Sequence, residues 1–248
     1  MSTESFDLGE RMKGYEGVAD VALTRRMPLI IRLDGKAFHT WTARVGCKKP
    51  FDPWLHYSFC ETATRMAHEL QGCCLGYLQS DEASFVLQDW WGLKTEAWLG
   101  KRVQKIASVA ASMFTAWFNL DADDRFDGAP AAFFDARCFV LPEAEVCNYL
   151  LWRQRDATRN SVAALAQAHF SHNRLHGLNG EQMQELLFQE KGINWSDLPT
   201  WQKRGVCVVK GDGGAWVVDE EPPVFSQDWR YVGRRLQPVE EAQGDGAA

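Results

Sequence analysis

The sequence predicts an α+β chain: a ferredoxin-like βαββαβ sheet followed by a mostly helical C-terminal extension. Three observations carry that prediction. In the first 142 residues, short apolar or β-branched segments alternate with two long stretches of helical periodicity. The turn signals Asp34-Gly35 and Ser80-Asp81-Glu82 fall where strands must end. After Pro142 the helical period dominates.

Leu29-Ile30-Ile31-Arg32-Leu33 is short, apolar and β-branched, and Asp34-Gly35 closes it, as expected of a buried strand ending in a turn. Asp52-Pro53 reads as an N-cap with proline at the first helical position. Behind it Leu55, Phe59, Ala63, Met66, Ala67 and Leu70 recur at helical spacing until Gly72. Residues 73–79 and 83–88 form two strands around the polar tip 80–82. A second helix is expected over 95–118, with Val103, Ile106, Ala110, Met113, Phe114 and Trp117 on one face, then a loop over 121–130 and a fourth strand over 133–141. Further helices are expected over 143–156, 161–172 and 181–191, and a hairpin over 205–210 and 215–218. The chain thus divides into a sheet-based region, residues 1–142, an extension packed on it, 143–237, and an acidic, Gly/Ala-rich tail, 238–248, expected to be disordered. No internal repeat is visible.

The 248 residues are 46% hydrophobic and 24% charged, which is globular usage and argues against a disordered or fibrous chain. The longest weakly polar stretch, 106–120, is broken by Ser108, Ser112 and Thr115 and falls short of the ~20 residues that span a bilayer. Met1-Ser2-Thr3-Glu4 has neither the basic nor the apolar region of a secretory signal, so a cytoplasmic protein with no membrane partner is expected. Seven cysteines with no C-x-x-C pair read as reduced thiols. The net charge of −6 argues against a generally basic nucleic-acid surface but leaves room for a local basic groove. The eleven tryptophans are expected in the core or on stacking surfaces.

Two carboxylates stand out by placement. Asp34 ends the first strand and Asp81 sits at the hairpin between the second and third. In a βαββαβ sheet the first and third strands are central neighbours, so both carboxylates meet at one edge. Paired hard oxygens with open positions suit Mg²⁺ that also holds a triphosphate, and two such ions serve phosphoryl transfer. Gly35 permits close approach to phosphate, and the amides of Lys36, Ala37, Phe38 and His39 are candidates for cradling its oxygens. Each aspartate alone also fits an ordinary solvated turn, so spacing by itself leaves both readings open.

The run Arg32-Leu33-Asp34-Gly35-Lys36-Ala37-Phe38-His39, then Lys49-Pro50, then Gly76-Tyr77-Leu78-Gln79-Ser80-Asp81-Glu82-Ala83-Ser84-Phe85-Val86, resembles the tRNA(His) guanylyltransferase family. Phe134-Asp135-Ala136-Arg137, Tyr149-Leu150-Leu151-Trp152-Arg153-Gln154 and Gly192-Ile193-Asn194-Trp195 extend the resemblance in the same order, over about residues 12–208. It implies a polymerase-like palm that uses two Mg²⁺ ions and extends RNA in the 3′→5′ direction. Asp34 and Asp81 would ligate both ions, with the Gly35 carbonyl completing one site. Residues 34–39 and Ser80 would bind a nucleotide triphosphate, and Lys49, Lys101, Arg102 and Lys105 would contact its phosphates. Glu82 would support the metal-binding aspartate from behind. The implied partners are tRNA, GTP and other nucleoside triphosphates, with ATP for activation, and the implied assembly is a homotetramer.

Two departures resemble the bacterial and viral branch of the family. The segment that is histidine-led and asparagine-rich in eukaryotic members reads Asp156-Ala157-Thr158-Arg159-Asn160-Ser161-Val162, and Met183-Gln184-Glu185-Leu186-Leu187-Phe188 lacks a lysine before its Leu-Phe pair. That branch is associated with template-directed repair of 5′-truncated tRNAs. Arg153, Arg155 and Arg159, with Asn160, read equally as an RNA-facing strip or as the polar side of an amphipathic helix. His169, His172 and His176 lack the further ligands of a zinc site, and Gly211-Asp212-Gly213-Gly214 lacks the lysine of a phosphate loop. Two alternatives share the βαββαβ order. One is a non-catalytic RNA-binding module, which 83–87 fits poorly for want of a glycine- and aromatic-rich third strand. The other is a nucleotide cyclase-like enzyme, against which the helical half after Pro142 argues.

Overall fold

The structure is a computed structural model that describes residues 7–126 and 128–236. Helix α1 (Leu8–Gly17) precedes strand β1 (Leu29–Gly35), which is followed by α2 (Phe38–Arg44) and α3 (Pro53–Glu69). The hairpin β2 (Cys73–Gln79) and β3 (Glu82–Leu87) leads into α4 (Val103–Arg125) and β4 (Phe134–Val140). Then come α5 (Glu143–His169), α6 (His172–Leu175), α7 (Gly180–Lys191), α8 (Thr200–Arg204), a second hairpin of β5 (Val206–Lys210) and β6 (Trp216–Asp219), and α9 (Arg230–Gly233). The strands form one antiparallel sheet in the order β4-β1-β3-β2-β5-β6.

Period two sorts the central strands into two cores. Leu29, Ile31 and Leu33 of β1 and Ala83, Phe85 and Leu87 of β3 meet α3 and α4 in an aromatic layer that includes Phe38, Phe59, Phe114, Phe118 and Phe134. Ile30 and Val86 face the other way, onto Val146, Tyr149 and Leu150 of α5 and onto Phe225 and Val232. Both faces are covered, which is why these strands read as nearly continuous apolar runs. Helix α3 begins as expected: the Asp52 carboxylate accepts from the amides of Trp54 and Leu55 at 2.8 and 3.1 Å. Its second oxygen accepts from the Lys48 amide at 2.7 Å, tying the preceding loop down.

Three expectations need correction. The helix expected over 95–118 starts only at Val103, because Leu99, Gly100 and Lys101 all adopt left-handed backbone in a short 3-10 turn, and it runs on to Arg125. The two helices expected over 143–156 and 161–172 are one, α5. Its buried positions Val146, Leu150, Ala157, Ser161 and Leu165 keep helical spacing through 156–160, where neither glycine nor proline interrupts. The C-terminal hairpin is part of the main sheet, since β5 pairs with β2. Helices α1 and α2 lack a sequence signal strong enough to predict them; α1 buries no residue. The tail 238–248 lies outside the described residues. All seven cysteines are unpaired, and burial pushes the Cys60 thiol up to about 12. No described helix is long and apolar enough to cross a membrane.

Candidate active site

Because β1 and β3 run antiparallel side by side, the end of one meets the start of the other. Asp34 is the register partner of Glu82, and Asp81 immediately precedes it at the hairpin tip. The Gly35 N–H donates to the Asp81 carbonyl at 3.1 Å. A Cβ on Gly35 would stand 3.0 Å from Asp81 Oδ2 and 2.5 Å from the Phe38 ring, so glycine alone fits between them. Ser80, held at φ 51°, donates its hydroxyl to Asp81 Oδ1 at 3.1 Å. Burial pushes the Asp81 carboxyl above its ordinary range, and the neighbouring Asp34 charge adds to that push against the Ser80 hydrogen bond.

Among the described residues, no group of three histidine, cysteine or acidic side chains assembles into an all-protein metal cage. Asp34 and Asp81 with the adjoining Gly35 carbonyl supply only hard oxygens. That donor set fits Mg²⁺, which keeps waters and substrate phosphates in its remaining positions.

An ion network lies behind Asp34. Arg32 Nη2 is 2.5 Å from Glu82 Oε2 and 3.6 Å from Asp34 Oδ2. Arg153, on the buried side of α5, reaches the same Glu82 oxygen at 2.9 Å, and its guanidinium lies 3.6 Å from the centre of the Trp152 ring. Burial raises the Glu82 carboxyl, and the two guanidiniums oppose the shift. Glu82 Oε1 is buried with no partner among the described residues.

A cleft of about 640 Å³ opens from Asp81, with His39, Lys49, Ser80, Asn160 and Trp201 in its walls. The His56 ring stacks on Trp201 at 4.2 Å and 15°, and its Nε2 lies 3.5 Å from Glu220 Oε1. Burial holds His56 below its ordinary value despite the Glu220 carboxylate. The cleft joins carboxylates, the lysines Lys48 and Lys49 and flat aromatic surface, the surroundings that a nucleoside triphosphate and its cation need.

The family model for tRNA(His) guanylyltransferase matches residues 9–142. The chain belongs to the tRNA(His) guanylyltransferase family. By that membership it is a nucleotidyltransferase. A bacterial tRNA(His) guanylyltransferase-like protein solved in complex with ATP is 48% identical and superposes with a TM-score of 0.89, over 92% of this chain and 99% of that one. Another, solved in complex with GTP, is 42% identical with a TM-score of 0.81, over 92% and 98%. The tRNA(His) guanylyltransferase of Schizosaccharomyces pombe is 30% identical over 219 residues, covering 81% of this chain and 79% of the relative.

The cleft gathers some of the expected residues and leaves others out. Asp81, Ser80, His39, Lys49 and Asn160 reach the cleft, and Asp34 and Gly35 adjoin Asp81. Phe38 lines it too, but its ring belongs to the aromatic core against Trp41 and Phe118. The cradle of amides is smaller than expected, because the Lys36 N–H is spent on the Phe133 carbonyl at 2.8 Å. Ala37, at φ 52°, turns the exposed chain into α2.

Lys101, Arg102 and Lys105 do not line the cleft. Lys101 is buried, its ammonium 3.0 Å from Asp89 and 2.7 Å from the Met27 carbonyl, so it closes the N-terminal segment onto the sheet instead of meeting phosphate. Arg102 pairs with Asp20, and Lys105 is solvent-exposed on α4. The arginine strip of α5 also divides. Arg155 and Arg159 are exposed, whereas Arg153 sits three residues from Leu150 on the buried face and is neutralised by Glu82. Glu82 acts on Asp34 through Arg32, where support of Asp81 was expected. Arg32 is the missed residue with a visible signal, a charge inside an otherwise apolar strand. His56 and Trp201 had none, being far apart in the chain.

Proposed function

We propose that the chain extends the 5′ end of a tRNA in the 3′→5′ direction on a ferredoxin-like palm, and that its task is template-directed repair of truncated 5′ ends. The single observation that carries this reading is the juxtaposition of Asp34 and Asp81 through Gly35 at the mouth of the cleft. ATP and GTP, the ligands of the bacterial relatives' structures, are the nucleotides proposed here. An oxygen of the tRNA 5′-monophosphate attacks the α-phosphorus of ATP, expelling pyrophosphate and leaving an adenylylated 5′ end. The 3′-hydroxyl of the incoming nucleotide then attacks the 5′ phosphorus and expels AMP.

Asp34, Asp81 and the Gly35 carbonyl would hold two Mg²⁺ ions. Ions held there would supply a lowered pKa for the attacking oxygen and neutralisation of the leaving group's charge. The chain's own groups do the positioning. Ser80 fixes one oxygen of Asp81, and Arg32, itself held by Glu82, fixes Asp34. Lys49 meets triphosphate charge, and His39 and Asn160 supply polar contacts in the cleft wall. Trp201, stiffened by His56, offers a flat apolar surface for a base. Arg155, and Arg159 where it can exchange its pairing with Asp156 for a phosphate, face RNA phosphates. A homotetramer would let basic grooves of neighbouring subunits combine despite the net charge of −6; sedimentation would give its mass directly.

The test is incubation with Mg²⁺, ATP, labelled nucleotides and a tRNA lacking its first 5′ nucleotide, read at single-nucleotide resolution. Addition of the base complementary to the template position is expected, and Asp34→Ala and Asp81→Ala should each abolish it while remaining folded. Addition of G whatever the template would assign dedicated tRNA(His) maturation. Product formed equally well without tRNA would assign a cyclase-type reaction.

A further inference from the structure

A second cavity, of about 720 Å³, opens at the opposite end of the sheet. Two elements run to it from the catalytic cleft. Helix α3 places Leu55 and His56 in the cleft wall and Thr64, Arg65 and His68 around the second cavity. Strand β5 begins beside the cleft at Val206 and ends at the cavity with Lys210. His56 and His68 are twelve helical residues apart, about 18 Å at ~1.5 Å per residue.

The lining runs against the acidic character of the chain. Arg65, His68 and Lys210 face a single carboxylate, Glu69, which lies 3.7 Å from His68. Lys210 stands between two indole rings, its Nζ 5.8 Å from the centre of Trp91 and 5.5 Å from that of Trp216. Trp216 and Trp117 complete the walls, each partly open to solvent. Along the same helix Trp54 and Tyr57 leave 55% and 47% of their surfaces exposed, their rings 6.4 Å apart. Flat rings interleaved with cations are how proteins hold single-stranded nucleic acid, with bases on the rings and phosphates on the cations. A base inside a double helix is stacked on both faces and has none to offer such a cavity.

We propose that this cavity binds an unpaired nucleotide from the single-stranded 3′ end of the substrate tRNA. The proposal rests on the reading that the tRNA's paired 5′ terminus lies in the catalytic cleft. The complementary strand leaves the duplex at that point, so its unpaired nucleotides begin at the cleft, and a few of them, extended, reach the second cavity. Charge complementarity favours this occupant: Arg65 and Lys210 meet the sugar-phosphate chain, and Trp216 stacks a base.

The experiment compares two 5′-truncated tRNAs, one with its unpaired 3′ end and one trimmed flush, by fluorescence anisotropy. The proteins are the full-length wild type, Trp216→Ala, Trp216→Phe and the double variant Arg65→Glu/Lys210→Glu. Wild type should bind the trimmed RNA about tenfold more weakly, the scale of one base stacked on one ring. Trp216→Ala and the double variant should lose a similar factor on the tailed RNA and nothing on the trimmed one, and Trp216→Phe should restore most of the binding. ATP binding and thermal unfolding of the double variant should match wild type, because neither residue touches the cleft. Equal losses on both RNAs, or none on either, would overturn the proposal. Failure of the unmutated protein to extend any tRNA would instead remove the parent reading, and this proposal with it.

Discussion

Gly35 and Asp81 touch through their backbones, the Gly35 N–H donating to the Asp81 carbonyl at 3.1 Å, and a Cβ on Gly35 would collide with the Phe38 ring and crowd Asp81 Oδ2 at 3.0 Å. This contact sets the spacing of the two aspartates, since Asp34 precedes Gly35. Gly35→Ala should therefore lower single-turnover nucleotide addition by at least about 100-fold, the effect of an ångström-scale misplacement. Displacing Phe38 from a filled core should cost about 1–3 kcal/mol of stability as well. Single-turnover rates and urea denaturation measure the two effects separately, and normal activity in a folded variant would refute the spacing argument.

Arg153 and Glu82 form a buried pair whose side chains are 4% and 7% exposed. Arg153→Ala leaves Glu82 paired to Arg32 alone, so it should lower unfolding stability by less than the roughly 3–5 kcal/mol that a fully stranded buried charge costs. Glu82→Gln leaves Arg32 without its anchor, so it should lower the rate of nucleotide addition with less effect on nucleotide KM. Urea midpoints and a kcat-against-KM split check both expectations.

Asp89 gives a pH-dependent contribution to stability. Burial pushes its carboxyl up, but the Arg26 amide, Lys101 and Arg25 outweigh that and hold it below the ordinary carboxylate range. A carboxylate with a depressed folded value binds fewer protons folded than unfolded. Its stabilisation is complete above the unfolded value and is lost as pH falls through the folded one. Stability should thus decline in acid below the ordinary carboxylate range, and Asp89→Asn should flatten the curve there while destabilising the protein at neutral pH by stranding Lys101. Thermal unfolding across acid and neutral pH measures both.

Lys49 and Lys101 should behave oppositely. Lys49→Ala should raise nucleotide KM about tenfold, the loss of one hydrogen bond to a charged group, and leave the melting temperature unchanged. Lys101→Met should lower the melting temperature and leave nucleotide KM unchanged, because its ammonium is enclosed by Thr24, Met27 and Asp89. Steady-state kinetics beside calorimetry tests the pair.

Much of the architecture was legible because it rests on local patterns. The N-cap at Asp52, the apolar run of β1 and the polar tip at Ser80-Asp81 each report a structure formed within a few residues. The errors arose where local signals are silent or shared. Lys101 and Lys105 look alike in sequence, and only the packing of the N-terminal segment separates a buried cation from an exposed one. The break imagined at 156–160 came from polar residues that a helix accepts on its solvent face.

Sequence alone determined the family, the order of the first four strands and the candidate pair Asp34 and Asp81, because those depend on residue type, short spacing and strand period. Tertiary structure decided that Arg153 reaches across from α5 to Glu82, that His56 and Trp201 share one wall, and that β5 extends the sheet beside β2. Those contacts join residues 71, 145 and some 130 positions apart. No local periodicity encodes such distances; they follow from burying both faces of one sheet at once, which brings remote elements over the same strand ends.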